Sequence, residues 1–194
     1  SLLFHDLQSM GRMRIGRFLI RRGFKIYPAF YVLIFLSLIF QGLRAEKITS
    51  QQVIGEIFFL QNYLGGIWGP TWSLAVEEHF YLVLSLVLLP LAKTERGMSG
   101  TFLISSYAIV AISTLALRLS LADEQFSVET HLMPTHLRID SLLLGVVLAW
   151  FYHFRQNQFV QLFSSRAFQL VGVGTLLMLP CFILEINQHP FIYT

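Results

Sequence analysis

Long apolar runs separated by short polar breaks dominate the chain: Ile26 to Leu43, Trp72 to Ala92, Thr101 to Ala122, Leu137 to Phe154 and Phe168 to Ile186. About 20 apolar residues in a helix cross a bilayer core, so each run predicts a membrane span. Pro28 falls in the first turn of the first run, where a missing N–H costs least. Pro180 lies inside the last and predicts a kink. Thr49 to Leu64 is too short and too polar to cross, and predicts a helix lying at the membrane surface or folded back. The loop Gly65-Gly66-Ile67-Trp68-Gly69-Pro70 is incompatible with regular helix and leads directly into the second run. The expected fold class is all-α, a polytopic transmembrane helix bundle of about five spans plus a short interfacial helix.

Composition agrees with the pattern. The 194 residues are 55% hydrophobic and 13% charged, where soluble domains carry about a quarter charged, and the mean hydropathy is +0.61. Ten of the fourteen basic residues fall on one side of a five-span arrangement. They are Arg12, Arg14, Arg17, Arg21, Arg22 and Lys25 before the first span, Lys93 and Arg96 after the second, and Arg155 and Arg166 after the fourth. The positive-inside rule makes that side the cytoplasm, and the expected location is a bacterial inner membrane. The net charge of +3 and pI of 9.2 are spent on topology, so no nucleic-acid partner is expected. Cys181 stands alone and the histidines lack ligand spacing, so no disulfide and no metal site are expected. The start at Ser1 carries no signal-peptide pattern, and the end at Thr194 comes just after a span. Residues 1–194 read as a single partial transmembrane domain that needs further spans of the same polypeptide and is inactive by itself.

The chemistry-bearing feature is Glu77-Glu78, two acids in the opening turns of an otherwise apolar span. An intramembrane carboxylate costs about 2.5–3.5 kcal/mol unless it faces protein or water. Ser73, Glu77 and Tyr81 share one helical face, whereas Glu78 aligns with Leu74 and Leu82. Arg138 and Asp140 open the fourth span at the same outer edge. The four ionisable groups therefore predict one outer cluster, with Arg138 set to neutralise a glutamate. A purely structural ion pair between helices is the alternative. Arg118 reads as snorkelling to the headgroups, His79 as an interfacial or helix-packing residue, and His136 as either a hydrogen-bonding or acid–base group or a capping group. On the inner side Arg17, Arg21, Arg22 and Lys25 form a basic patch, either an anchor for anionic membrane lipid or a clamp for a phosphorylated ligand.

Four segments carry a resemblance. They are Arg21-Arg22-Gly23-Phe24-Lys25-Ile26-Tyr27-Pro28, Phe59-Leu60-Gln61-Asn62, Trp72-Ser73-Leu74-Ala75-Val76-Glu77-Glu78-His79-Phe80-Tyr81-Leu82, and Leu137-Arg138-Ile139-Asp140-Ser141-Leu142-Leu143-Leu144-Gly145. In order and separation the chain resembles the acyltransferase 3 family, multispan bacterial proteins that O-acylate extracytoplasmic glycans and lipids. The resemblance implies cytoplasmic acyl-CoA, chiefly acetyl-CoA, as co-substrate with no bound cofactor, and a glycan or lipid-linked acceptor. It also implies a catalytic histidine upstream of this chain, a part His5 does not fill. Glu77 and Glu78 would then be supporting catalytic residues. Trp72, Ser73, Tyr81, His136, Arg138 and Asp140 would form the acceptor site, and Arg17, Arg21, Arg22 and Lys25 would bind the donor. The family's Arg-x-x-Arg is altered here to Arg22 and Lys25. A transporter or channel with an intramembrane charged path, and a non-catalytic scaffold, are the competing classes.

Overall fold

The structure is a computed structural model and describes residues 2–10, 14–40, 47–91, 99–122 and 124–183. The described residues are helical without strands. They run as α1 (Leu2–Met10), α2 (Ile15–Ile39), α3 (Ser50–Ile57), α4 (Gln61–Leu64), α5 (Trp72–Leu91), α6 (Gly100–Ser120), α7 (Ile139–Phe154), α8 (Gln156–Ser164) and α9 (Arg166–Ile183). Short turns at Gly69–Thr71, Val128–Leu132 and Thr135–Leu137 connect them. The expected features at Arg12, Arg44, Lys93, Arg96 and beyond Ile183 lie outside the described residues, as do the side chains of His5, Pro180 and Cys181.

Among the described residues three segments are long and apolar enough to cross a bilayer: Ile15–Ile39, Gly69–Leu89 and Gly100–Ser120. The expectation of five spans is thus met for three. The fourth run forms a 16-residue helix, Ile139–Phe154, about 24 Å long where the hydrocarbon core is about 30 Å thick. It starts late because Thr135–Leu137 is a tight turn, with Arg138 N–H donating to the Thr135 carbonyl at 3.0 Å. The polar run after it forms the separate helix α8.

The first span also departs from expectation. Helix α2 begins at Ile15, so Pro28 is internal and does not open the helix. The basic residues from Arg17 to Lys25 belong to the same helix. Arg17, Arg21 and Lys25 share its exposed face, while Arg22, about 100 degrees from Arg21, turns toward α5.

Helices α2 and α5 pack antiparallel, with Phe18 against Tyr81 (ring centroids 5.6 Å apart) and Phe30 and Ala75 in one cluster. At one end of the bundle Phe4, Ile15, Phe80, Leu84, Leu88 and Leu103 form a core, onto which α7 lays Leu142, Val146 and Trp150. Gly100 stands under the Trp150 ring, where any Cβ would collide, and this lets the start of α6 approach α7. The outward faces of α2 and α6 are apolar and exposed, Phe35 and Ile112 among them, as lipid-facing helices require.

The segment Thr49 to Leu64, expected to lie at the surface or fold back, is a folded bracket. Thr49 and Gln52 make a capping box that starts α3. Phe59, at φ 57°, reverses the chain into α4. Few non-glycine residues adopt this left-handed backbone. It is held by stacking of the Phe59 ring on Phe30, centroids 4.9 Å apart. Glu56 is fully buried, and its Oε1 accepts hydrogen bonds from Ile67 N–H (2.9 Å) and Thr71 Oγ1 (2.8 Å), tying down the loop that enters α5. Gly66 permits this, because a Cβ there would stand 2.9 Å from Glu56 Oε1 and 3.2 Å from Thr71 Oγ1.

Gly66→Ala is therefore expected to destabilise the protein by about 1–3 kcal/mol through overpacking. The readout is a lowered thermal midpoint in detergent; an unchanged midpoint would contradict the close approach.

Candidate functional site

The turn Glu77-Glu78-His79 of α5 faces two polar environments. On one side Arg22 of α2 bridges both acids, its Nη2 donating to Glu77 Oε2 at 2.5 Å and its Nε to Glu78 Oε1 at 3.1 Å. Tyr27 Oη donates to Glu78 Oε2 at 2.9 Å, one helical turn further along α2. The guanidinium carbon also lies 3.6 Å from the Tyr81 ring centroid. Glu78 is the enclosed acid, with 6% of its side chain exposed against 44% for Glu77. The difference follows from the helix: the face that carries Leu74 and Leu82 brings Glu78 against α2. Glu78 lies roughly 9 Å along α5 from Trp72 and roughly 20 Å from Leu91, so the acids sit part-way along the helix and away from its ends.

This corrects two pairings read from the sequence. Arg22, expected at the inner basic mouth, reaches the glutamates. Arg138, expected to neutralise them, instead donates from Nε to the Leu132 carbonyl (2.9 Å) and lies 5.3 Å above the Trp72 ring. Asp140 pairs with Arg118 Nη2 at 2.9 Å. Arg118 does not snorkel outward: it is 10% exposed and also donates through Nε (3.0 Å) and Nη2 (2.5 Å) to the Leu137 carbonyl. The single cluster expected from four groups is therefore two ion-paired sites, Arg22 with Glu77 and Glu78, and Arg118 with Asp140. Distance along separate helices could not distinguish these partners in the sequence. The clue for Arg22 was its departure from the face shared by Arg17, Arg21 and Lys25.

On the other side of the turn, His79 Nδ1 lies 2.8 Å from Thr135 Oγ1. That hydroxyl accepts from Asn62 Nδ2 at 2.8 Å. Tyr63 lies against both His79 and His136, with centroids 6.1 Å away in each case. The bracket α3–α4 is thereby joined to the 133–137 segment. The sequence reading assigned no role to Asn62, Tyr63 or Thr135, whose polar groups fall in a short bracket and a loop with no periodic pattern to flag them.

Two cavities lie near α5. The more polar one, of about 710 Å³, opens between the bracket and the 129–136 segment, with Gln51, Asn62, Tyr63, Trp68, Trp72 and His136 in its wall. A mainly apolar groove of about 480 Å³ runs along α2, with Ile20, Phe24 and Leu82 beside Arg22, Tyr27 and Glu78. Of the six residues expected at an acceptor site, Trp72 and His136 line the polar cavity and Arg138 lies over Trp72. Ser73 Oγ donates to the Pro70 carbonyl at 3.1 Å. Tyr81 is under Arg22, and Asp140 is with Arg118. Of the four residues expected at a donor site, Arg17, Arg21 and Lys25 are exposed together. No group of three or more histidine, cysteine or acidic side chains suited to a metal ion occurs among the described residues.

No protein-family model and no solved structure matches the chain. An uncharacterized protein of Haemophilus influenzae (strain ATCC 51907) is 30% identical over 200 residues, covering 92% of this chain and 79% of that protein. The chain belongs to the same family as that protein. Proteins of Staphylococcus aureus strains COL and MSSA476, each named "Putative O-acetyltransferase", are 25% identical over 176 residues, or 78% of this chain. The match spans 28% of the length of those proteins.

Removing Arg118 takes away the direct ion pair of Asp140, whereas removing Arg138 frees a carbonyl and a ring face and loses a longer-range attraction to Asp140 that is offset by relief of repulsion with Arg118. Arg118→Ala is expected to cost about 3 kcal/mol or more and Arg138→Ala clearly less, as read from denaturation of the purified protein. Equal losses, or a larger loss for Arg138→Ala, would contradict the observed pairing.

Proposed function

We propose that the chain forms part of a membrane O-acyltransferase, which moves an acetyl group from cytoplasmic acetyl-CoA to a hydroxyl of an extracytoplasmic glycan or lipid-linked acceptor. The observation that carries the reading is the Arg22–Glu78–Tyr27 site inside the bundle, with an apolar groove on one flank and a polar cavity beyond the same turn of α5. The Staphylococcus aureus relatives and the four sequence segments support the same class.

In this reading the exposed basic face of Arg17, Arg21 and Lys25 holds the phosphates of CoA through charge-assisted hydrogen bonds. The apolar groove takes the less polar acyl end. The polar cavity receives the acceptor, with Trp72 and Trp68 offering ring faces to a sugar and Gln51 and Asn62 offering amides. The acceptor hydroxyl is a poor nucleophile until a base removes its proton. That base comes from outside residues 1–194, a histidine by the family resemblance. The hydroxyl oxygen attacks the thioester carbonyl, the C–S bond breaks, and CoA leaves as the thiol with the proton the base had taken. Glu78, fixed by Arg22 and Tyr27, orients the base. Glu77, the more exposed acid, faces the reacting groups more openly. Arg22 serves as the counter-charge of this pair.

Acetyl transfer from labelled acetyl-CoA to endogenous acceptors, measured in membrane vesicles carrying the full-length protein, tests the reading. Glu78→Gln is expected to lower transfer by at least about tenfold, the order of a lost charged positioning contact. Arg17→Ala with Arg21→Ala is expected to raise the KM for acetyl-CoA with kcat little changed. Undiminished transfer in Glu78→Gln, or ion flux through the wild-type protein without any transfer, would contradict it.

A further inference from the structure

The hydrogen bonds around the polar cavity determine what His136 offers to a molecule bound there. Thr135 is 7% exposed, and its backbone N–H donates to Tyr63 Oη at 3.1 Å. A backbone N–H has no lone pair to offer, so the phenol oxygen is the acceptor in that bond. Tyr63 keeps one proton to donate, and Nδ1 of His136 lies 3.2 Å from its oxygen, with the two ring planes only 12° apart. When the phenol donates along that line, Nδ1 carries the lone pair, and the neutral ring holds its proton on Nε2.

The support behind Tyr63 is a buried hydrogen-bonded hub. Asn62 is 3% exposed, and its Nδ2 donates both to the Met133 carbonyl (3.3 Å) and to Thr135 Oγ1 (2.8 Å). The carbonyl can only accept, which fixes the amide orientation and commits Thr135 Oγ1 as an acceptor from Asn62. The Thr135 hydroxyl remains bonded to His79 on α5. Tyr63 is seated against this hub, and His136, itself exposed, stands in the wall of the cavity with Nε2 as its remaining polar atom.

We propose that Tyr63 and Thr135 lock His136 in the Nε2–H tautomer, so that it presents a hydrogen-bond donor, and not a base, to an oxygen atom of the molecule bound in the 710 Å³ cavity. The inference rests on the acceptor-pocket reading above and narrows it. His136 selects ligands that place an oxygen lone pair (hydroxyl, ether or carbonyl) at that position, and disfavours those that place an ammonium there. Tyr63 is a positioning residue acting through His136. The proton of the acceptor hydroxyl goes elsewhere.

Two measurements on the full-length protein in lipid nanodiscs or membrane vesicles test this. In ¹⁵N-histidine-labelled protein, with the His136 signals assigned by His136→Gln, proton–nitrogen correlations are expected to show Nε2 protonated and Nδ1 bare. Tyr63→Phe is expected to turn that pattern into a mixture of tautomers. A predominantly Nδ1-protonated ring in the unsubstituted protein, or no change in Tyr63→Phe, would overturn the proposal. In acetyl transfer from labelled acetyl-CoA, His136→Gln keeps an amide N–H near the Nε2 position and is expected to retain most of kcat/KM and the wild-type pH profile. His136→Ala is expected to lose about tenfold, largely through acceptor KM, as for one lost hydrogen bond. A His136→Gln variant as impaired as His136→Ala, or one missing a limb of the pH profile, would mark His136 as a base and overturn the proposal. If the wild-type protein transfers no acetyl group, the acyl-transfer reading fails, and the nitrogen spectra decide the tautomer on their own.

Discussion

A carboxylate as enclosed as Glu78 needs a cation beside it in an apolar helix bundle, and Arg22 meets that requirement while also pairing with the more exposed Glu77. Its planar fork gives separate nitrogens to Glu77 and Glu78, a geometry a lysine ammonium cannot reproduce. The pairing also sets the register of α2 against α5. With Arg22 opposite Glu78, Phe18 meets Tyr81, Ile15 enters the core with Leu84 and Leu88, and Phe30 reaches the cluster with Ala75. Charge and packing thus specify the same antiparallel alignment. The basic stretch and the apolar run belong to one helix, and this continuity brings Arg22 beside α5.

The second constraint lies on the opposite face of the same turn. His79, Thr135, Asn62 and Tyr63 connect α5 to two segments that are neither long nor apolar, and those segments form the polar cavity. The bracket is in turn pinned by Glu56 from below and by Phe59 in its left-handed conformation. One turn of α5 therefore joins an ion-paired site facing α2 to a neutral hydrogen-bonded site facing the cavity. The division suits a reaction that brings a charged donor and an uncharged acceptor together.

Much of the helical framework was legible in the apolar runs. The second run matches α5 and the third matches α6 to within two residues, because uninterrupted apolar stretches bounded by polar residues leave little freedom. The first helix was misplaced because Pro28 resembles an N-terminal signal, and an internal proline costs less where neighbouring structure supports the helix. The fourth was read as a full span, but the turn at Thr135–Leu137 leaves a helix of only 16 residues, and that turn depends on bonds to distant residues. Glu77 and Glu78 were conspicuous because acids are rare in such a run. Their partner was not, since the first span was read as starting at Ile26, which left Arg22 outside it, whereas α2 starts at Ile15 and carries Arg22 beside α5. Arg118 and the Asn62–Thr135–His79 hub were hidden because polar contacts between separate elements, 22 residues apart for Arg118 and Asp140 and 73 for Asn62 and Thr135, leave no periodicity in the chain.

The account depends most directly on Arg22 and Glu78 acting as a pair. A double-mutant cycle on unfolding of the protein in lipid or detergent, with Arg22→Met, Glu78→Gln and both together, measures that coupling. Residues in direct ionic contact are expected to couple by about 1–3 kcal/mol, the double variant being less damaged than the sum of the singles. Single effects that add to within about 0.5 kcal/mol would show that the two side chains do not meet, and the register and site built on them would fall.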